Sequence, residues 1–221
     1  MARRVAALAA LLVACATISA SADQHFYYLN PAQIDLTVYL PPPPDLGSAQ
    51  ELADEQQVAA AVASRSKAQV STAEEDAQRT VFFFEPSIGP GFAPDRLPVT
   101  ARFFERVGSD VKKLVDLAKV YWERPRPSGA EKRRGSYPSG HAAFAASSAI
   151  LLGELLPAKR DAVFAQARTF AENRILLGLH YPSDVASGWT AGTLAVFDMM
   201  HDRAFQRDFA AVKAELRRAK L

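Results

Sequence analysis

Basic side chains and histidines are concentrated in three short stretches of this 221-residue sequence, at residues 119–127, 138–141 and 174–184. From residue 119 to residue 141 there are six Lys or Arg against two Asp or Glu, a local excess of +4 in formal charge. Such a concentration of positive charge attracts a small anion, and the planar guanidinium group of arginine matches the oxygen atoms of a phosphate group. These stretches therefore predict a site for a small, phosphate-like anion.

The second stretch is also typical of a helix start. Ser139 is a suitable N-cap for the alanine-rich segment that follows, which places Gly140 and His141 in the first helical turn. The backbone N–H groups of a first turn have no partner within the helix, and the helix dipole favours negative charge there. The backbone at this point can therefore add hydrogen bonds to the charge of the basic side chains.

His180 and Asp184 form a further pattern, with Pro182 between them to favour a turn and a helix start. Asp184 then lies in the first turn of the next helix, where the dipole stabilises its negative charge. A carboxylate held against one imidazole nitrogen fixes the tautomer and leaves the other nitrogen as a nucleophile or base. With His141 the sequence offers two imidazoles for one site, one to attack phosphorus and one to protonate the leaving oxygen.

Taken together, the three stretches resemble the signature of the type 2 phosphatidic acid phosphatase (PAP2) superfamily, K-x6-R-P, P-S-G-H and S-R-x5-H-x3-D. Residues 39–44, which end in four consecutive prolines, and residues 135–141 also resemble the class A bacterial non-specific acid phosphatases. The signature departs from the family at Asn173, which stands where the family usually has serine. Some class A members contain a disulfide bond, which this chain cannot form because it has a single cysteine.

The resemblance implies a role for each residue of the signature. His180 would be the nucleophile that forms a phosphohistidine, Asp184 would orient it, and His141 would be the general acid and later the base for water. The residues that would hold the phosphoryl oxygens are Lys119, Arg126, Ser139, Gly140 and Arg174. The resemblance further implies an acid phosphatase of broad specificity that acts on small phosphomonoesters without a metal ion or another cofactor.

Other functions use the same residues. A haloperoxidase that binds vanadate, a lipid phosphatase and an anion-binding protein without catalytic activity are the alternatives. Metal ligation by His180 and Asp184 is disfavoured, because the Arg and Lys side chains of the site would repel a divalent cation. A serine hydrolase with Ser139 as nucleophile is also disfavoured, because the sequence has no G-x-S-x-G motif and no strand before this residue.

Residues 1–22 have the organisation of a secretory signal peptide. Two arginines precede an apolar run at residues 5–13, and small residues at positions 20–22 offer a cleavage site. The apolar run is shorter than the roughly 20 residues that span a bilayer, so no membrane span is predicted. Cleavage here predicts export to the periplasm, and the resemblance implies one PAP2-type acid phosphatase domain over residues 23–221.

Cys15 lies in a segment that resembles a bacterial lipoprotein box, so lipidation at Cys15 is an alternative to ordinary cleavage. Removal of residues 1–22 takes away two of the 26 basic residues and none of the 24 acidic ones, which gives the mature chain a formal charge of zero. A neutral chain needs no nucleic-acid polymer as partner, and the expected partners are small phosphomonoesters and inorganic phosphate. The family also suggests a homodimer.

Helices must position these residues, because apolar spacing and capping patterns predict an all-α fold in a single domain. The resemblance implies that this domain is a helical bundle of the PAP2/haloperoxidase type. Residues 27–40 are predicted to form an extended N-terminal arm, and residues 85–98, with four prolines and two glycines, a loop. Ser48 and Ser71 are the predicted N-caps of two helices between residues 47 and 80. Further helices are predicted at residues 100–121, 140–156, 159–177, 184–200 and 203–220.

Three further expectations concern side chains. The apolar stripe of the helix over residues 100–121 includes Leu117. Arg124 and the basic residues 132–134 are expected to be solvated and to lie outside the site. The three phenylalanines at residues 82–84 are expected to pack in the core, with an aromatic lid over the leaving group as the alternative.

Overall fold

The computed structural model describes residues 25–127 and 135–221 of the chain. Within these residues the fold is all-α, without strands, and no helix there combines the length and the apolar character needed to cross a membrane. The helices are α1 (Leu36–Tyr39), α2 (Ala49–Ser64), α3 (Lys67–Glu75), α4 (Glu85–Ile88), α5 (Pro98–Trp122), α6 (Gly140–Leu155), α7 (Arg160–Leu176), α8 (Pro182–Met199) and α9 (Arg203–Arg218). The predicted all-α fold is confirmed, whereas the predicted signal peptide, Cys15 and the basic residues 132–134 lie outside the described residues.

Helix α6 forms the centre of the bundle. Nearly all of its residues are buried, and the alanines, serines and glycine among them let neighbouring helices approach closely on every side. Helices α7 and α8 pack along α6, and α5 packs on it as well. Gly188 and Gly192 of α8 lie at the closest approach, because a Cβ atom at either would collide with the backbone carbonyl of Ser139 or Ala143. This contact holds the N-terminal ends of α6 and α8 side by side.

Helix α5 is amphipathic and buries one face in the core. Leu114 and Ala118 of the predicted stripe are each only 2% exposed. Leu117 is 47% exposed, so its assignment to the stripe was wrong. The reason is that Leu114 and Ala118 already occupy the inward positions of these two turns, which leaves Leu117 on the solvent side.

Helix α5 begins at Pro98, before the predicted start at residue 100. The carboxylate of Glu215 in α9 explains the earlier start, because it accepts hydrogen bonds from the backbone N–H groups of Val99 at 3.0 Å and Thr100 at 2.8 Å. A buried carboxylate thus replaces the side-chain cap that the N-terminus of α5 lacks.

The N-terminal arm is anchored to α5 by one buried carboxylate. Asp110 accepts the backbone N–H groups of Tyr27 at 2.9 Å, Tyr28 at 2.7 Å and Leu29 at 3.1 Å. Asp110 is fully buried, so these hydrogen bonds satisfy a charge that would otherwise be costly in the core.

Two short helices correct the sequence prediction. The arm over residues 27–40 is not extended throughout, because Asp35 accepts the N–H of Thr37 at 2.9 Å and starts α1. Helix α4 lies within the predicted loop at residues 85–98, where Pro86 occupies the first turn and loses no hydrogen bond there.

The N-cap of α2 is the predicted one and the N-cap of α3 is not. Ser48 accepts the N–H of Glu51 at 3.2 Å at the start of α2. Helix α3 is capped by Ser66, in a reciprocal pair with Gln69, and Ser71 lies inside the helix. Glutamine completes a capping box as well as glutamate does, so Ser66 with Gln69 starts this helix before the predicted cap is reached.

Candidate active site

The predicted site residues come from four helix ends that meet at one end of the bundle. Lys119 is in the last turn of α5, and Arg174 is in the last turn of α7. Ser139 caps α6, and Asp184 lies in the first turn of α8. The backbone N–H of Ser139 donates to the backbone carbonyl of Asp184 at 2.9 Å, which ties the starts of α6 and α8 together.

His180 and Asp184 form a buried pair. Nδ1 of His180 lies 3.3 Å from Oδ2 of Asp184, and the same oxygen accepts the backbone N–H of Tyr181 at 2.9 Å. The two side chains are 3% and 0% exposed. The carboxylate places the ring proton on Nδ1, and Nε2 is left with its lone pair.

Burial keeps His180 neutral. Burial, together with the charges of Lys119 and Arg126, lowers the pKa of His180 to about 4 against the opposing effect of Asp184. Burial would raise the pKa of Asp184, but the hydrogen bond from His180, the charge of Arg124 and the hydrogen bond from the backbone of Tyr181 lower it overall, so the carboxylate is ionised. The pair is therefore a neutral imidazole beside a carboxylate.

Arg126 faces the lone pair of His180. Its NH1 atom lies 3.2 Å from Nε2 of His180 and donates to the carbonyl of Leu179 at 2.8 Å. Its Nε atom is buried and has no hydrogen-bond partner among the described residues. A guanidinium group thus lies next to the atom that would attack phosphorus, with one N–H still to be satisfied.

Arg174 has a similar setting at the end of α7. It is 1% exposed and donates through NH2 to the backbone carbonyl of Ala73. Its Nε atom is also buried without a partner in the described part of the chain. A buried guanidinium group that lacks both a carboxylate and a full set of acceptors is expensive in a protein interior, which points to an anionic ligand.

Lys119 is buried beneath the segment before α6. Its Nζ atom donates to the carbonyls of Gly135 at 2.6 Å and Ser136 at 3.3 Å. Burial and the charge of Arg126 lower the pKa of Lys119 to about 8. Lys119 therefore adds positive charge to the site and also positions the backbone that leads to Ser139.

Ser139 and Gly140 form the start of helix α6, where backbone N–H groups are free to bind an anion. Ser139 is fully buried and its Oγ accepts the N–H of Ala142 at 3.4 Å, as expected for an N-cap. The first-turn N–H groups of α6, at Gly140 and His141, lie at the positive end of the helix dipole. This is the position at which a helix stabilises an anion.

His141, like His180, has positively charged side chains near it. Its Nε2 is 3.3 Å from the carbonyl of Ala77, which leaves Nδ1 without a partner among the described residues. Burial and the charges of Arg174 and Arg79 together lower the pKa of His141 to about 3. The structure therefore brings both histidines, the three predicted cations and the start of α6 into one site.

Arg124 is a member of the site that the sequence analysis missed. It was expected to be solvated, but it is 6% exposed, and its NH1 atom donates to Oδ1 of Asp184 at 2.7 Å and to Oγ of Ser183 at 2.7 Å. Its NH2 atom lies 3.1 Å from Asp54 in α2, and its guanidinium group stacks 4.0 Å above the ring of Tyr181. Arg124 thus fixes the carboxylate that binds His180.

Arg79 is a second residue that was missed. Its NH1 atom reaches to 3.3 Å from the position that a Cβ atom on Gly140 would occupy. Its charge lowers the pKa values of His141 and Lys119, and burial lowers its own pKa. No local pattern distinguishes this arginine from other basic residues, because its partners follow it by some 40 to 60 positions in the sequence.

Within residues 25–127 and 135–221, no group of three or more His, Cys, Asp or Glu side chains is arranged to hold a metal ion. The carboxylates on the side of His180 are already engaged, since Asp184 binds His180 and Arg124, and Asp54 binds Arg124.

Comparison with known proteins shows which family this chain is similar to. Residues 111–208 match the model of the PAP2 superfamily. The chain is 28% identical to an acid phosphatase from Zymomonas mobilis over 84% of this chain and 77% of that protein. It is 27% identical to a non-specific acid phosphatase from Providencia stuartii over 88% of this chain and 86% of that protein, and 27% identical to one from Salmonella typhimurium over 80% and 78%.

A solved structure shows the same fold. The transmembrane PAP2-type phosphatidylglycerolphosphate phosphatase of Bacillus subtilis superposes with a TM-score of 0.52 at 23% sequence identity, over 70% of this chain and 86% of that one. The resemblance read from the sequence, to the PAP2 superfamily and to the non-specific acid phosphatases, is confirmed by these similarities.

Proposed function

We propose, from the match of residues 111–208 to the PAP2 superfamily and the similarity to acid phosphatases, that this chain is an acid phosphatase that hydrolyses small phosphomonoesters through a phosphohistidine. The observation that carries the proposal is the setting of His180, a buried and neutral imidazole with Nδ1 bound by Asp184 and Nε2 facing a guanidinium group. A neutral imidazole held in this way is a nucleophile, and the cations around it suit the oxygens of a phosphoryl group.

The phosphoryl group would lie between His180 and His141. The Nε–H groups of Arg126 and Arg174, which have no partner among the described residues, would donate to its oxygens. The first-turn N–H groups of α6 would add further hydrogen bonds. The NH1 atom of Arg126 would pass from Nε2 of His180 to a phosphoryl oxygen, which frees the lone pair for attack.

In the first step, the lone pair on Nε2 of His180 forms a bond to phosphorus while the bond from phosphorus to the ester oxygen breaks. The electron pair of that bond stays on the ester oxygen, which takes a proton from His141 and leaves as an alcohol. The products are the free alcohol and a phosphohistidine whose positive charge is stabilised by the Asp184 carboxylate.

In the second step, His141 removes a proton from a water molecule as its oxygen attacks phosphorus. The bond between phosphorus and Nε2 breaks, its electron pair returns to His180, and inorganic phosphate leaves. His141 ends this step protonated, as it began the first one, so the cycle is balanced.

His141 becomes protonated when the substrate binds. Burial and the charges of Arg174 and Arg79 lower the pKa of His141 to about 3 when no anion is bound. A phosphoryl group next to these arginines offsets their charge and raises that pKa, so substrate binding and protonation of His141 favour each other.

Charge neutralisation must supply most of the rate enhancement. Enzymes accelerate the hydrolysis of phosphate monoesters by up to ~10²¹-fold. A single acid or base contributes roughly 10²- to 10⁴-fold, so two histidines cannot account for such a factor. Hydrogen-bond donors and cations fixed around the transferring group, as in this site, are the main remaining source.

The proposal includes two features of the enzyme beyond its reaction. It uses no metal ion, because the positive charges of Lys119, Arg126 and Arg174 surround the space where a divalent ion would have to approach the phosphoryl oxygens. Its location is the periplasm, an assignment supported by the signal-peptide pattern of residues 1–22.

The test is hydrolysis of p-nitrophenyl phosphate by protein that has been treated with a chelator. The proposal predicts turnover at the same rate before and after treatment. A strict requirement for added Mg²⁺ or Zn²⁺ would overturn the metal-free mechanism. Oxidation of bromide by peroxide in the presence of vanadate, without hydrolysis of any phosphomonoester, would replace the phosphatase by a haloperoxidase.

A further inference from the structure

We infer that the cavity beside Arg79 is a subsite for a neutral aromatic leaving group. The cavity has a volume of about 340 Å³, and Phe82, Phe104 and Ala101 line it together with Arg79 and Glu105. The inference rests on the proposed function, since it assigns the part of the substrate that leaves with the ester oxygen.

One short segment connects this cavity to His141. The carbonyl of Ala77 contacts the ring of His141 at 3.3 Å, and Arg79 reaches to 3.3 Å from the Cβ position of Gly140. The same segment continues into Phe82, which lines the cavity. Next to it, the ring of Phe83 lies 4.7 Å from that of Phe170, which in turn lies 5.7 Å from the imidazole of His141.

The in-line geometry of phosphoryl transfer favours this cavity, rather than the other groove near the site, as the place of the leaving group. In phosphoryl transfer the attacking and leaving atoms lie roughly in line, so the leaving group is on the side away from Nε2 of His180. A second groove is lined by Pro127 and Tyr181, the neighbours of Arg126 and His180, and therefore lies on the side of the nucleophile. The cavity beside Arg79 lies on the side of His141, which must protonate the leaving oxygen.

The walls of the cavity suit an aromatic ring. Phe104 is buried and Phe82 is half-buried with its ring 5.1 Å from that of Phe92, so both present fixed aromatic surfaces. Aromatic rings gain from edge and offset contacts of this kind, and the guanidinium group of Arg79 can stack on the face of a bound ring. The volume is within the lower range of small-molecule sites.

Glu105 adds selectivity for neutral rings. Its carboxylate at the rim repels a leaving group that carries a second negative charge, and it can accept a hydrogen bond from an N–H or O–H substituent on a ring. Aryl and nitrogen-containing heteroaryl phosphomonoesters are therefore the substrate class that this subsite favours over aliphatic ones.

The experiment compares kcat/KM for phenyl phosphate and glycerol 2-phosphate in the full chain and its variants. Phe82→Ala removes one wall, and the ratio of the two kcat/KM values is expected to fall about fivefold, as for the loss of an aromatic contact. Phe197→Ala is the matched control, since this ring is 67% exposed on α8 and outside the site, and its ratio should equal that of the unmodified chain.

Ala101→Leu provides a second variant, which fills the cavity and keeps the aromatic walls. It should lower kcat/KM for phenyl phosphate and leave that for glycerol 2-phosphate nearly unchanged, and it decides the question if Phe82→Ala does not fold. An unchanged ratio in the folded variants would overturn the subsite. Absence of turnover with both esters in the unmodified chain would instead refute the phosphatase activity itself.

Discussion

The guanidinium group of Arg124 lies 2.7 Å from Oδ1 of Asp184, while the other oxygen of this carboxylate binds His180 at 3.3 Å. Arg124 also binds Asp54 in α2 at 3.1 Å, so a line of buried charged groups connects α2 to the imidazole. The orientation of His180 therefore depends on a helix that contributes no residue to the anion site.

Removal of Arg124 should cost both stability and turnover. Arg124→Leu leaves the carboxylates of Asp54 and Asp184 buried without their cation, for which a loss of about 3–5 kcal/mol in the free energy of unfolding is expected. Urea denaturation measures this loss. The milder variant Arg124→Lys keeps the charge but loses the planar guanidinium group that donates to Asp54 and Asp184 at once. Because this affects the orientation of His180, kcat should fall more than KM rises.

The control for Arg124 is an exposed ion pair. Glu154 lies 3.7 Å from Arg160 at the surface, so Glu154→Gln should change the free energy of unfolding by less than about 1 kcal/mol. Equal effects of Arg124→Leu and Glu154→Gln would contradict the role of Arg124 as the support of Asp184.

Close contact between α6 and α8 predicts a large effect from one methyl group. Gly188→Ala would press a Cβ atom into the carbonyl of Ser139, and we expect a loss of about 1–3 kcal/mol together with reduced turnover, because Ser139 caps the helix that carries His141. Gly108→Ala in α5 is the matched control. Its Cβ atom would meet only the ring of Phe144 at 3.8 Å, so this variant should gain roughly 0.5–1 kcal/mol.

Thermal or urea unfolding of both glycine variants gives the comparison. If Gly188→Ala is as stable as Gly108→Ala, the two helices are farther apart than the structure shows, and the positioning of Ser139 by α8 is wrong.

Anion binding should be accompanied by proton uptake. The pKa values of His141 and His180 are lowered to about 3 and about 4 in the free protein, so both rings are neutral above these values. A bound dianion raises both pKa values, so the complex holds more protons than the free protein and affinity must decrease as pH rises. Sulfate is the suitable ligand, because it is tetrahedral and does not itself titrate in this range.

Calorimetry of sulfate binding in two buffers with different ionisation enthalpies measures this uptake directly. The number of protons taken up should be positive at mildly acidic pH and smaller in His141→Ala. Release of protons, or affinity that is independent of pH, would show that the histidines do not face the bound anion.

The role of His141 as acid predicts a dependence on the leaving group. His141→Ala should reduce kcat/KM for phenyl phosphate by about 10²-fold or more, and less for p-nitrophenyl phosphate, whose leaving oxygen needs no proton. Both esters carry an aromatic ring, so the subsite proposed above affects them alike. Equal losses for the two esters would remove His141 from proton transfer.

Local signals in the sequence predicted the parts of the site that depend on neighbouring residues. Ser139 caps α6, and His180 pairs with Asp184 four residues later, because both arrangements arise between close neighbours at the start of a helix. The apolar spacing of the long helices likewise identified α5 to α9 to within about two residues.

Contacts between distant residues were not predictable in the same way. Arg124 and Asp54 are 70 positions apart, and neither belongs to a local sequence pattern that predicts a buried partner. Arg124 was therefore predicted to be solvent-exposed in a basic loop, because arginine side chains are mostly exposed. Arg79 escaped notice for the same reason, since only the packing of the segment before α4 brings it to Gly140.

The central claim is that His180 accepts the phosphoryl group, and it is tested by rapid quenching of the enzyme during turnover of a substrate labelled with ³²P. The account predicts label on His180, stable in base and lost in acid as expected for a phosphohistidine, and no label in His180→Ala. Label that survives acid on Ser139, or label that persists in His180→Ala, would contradict it.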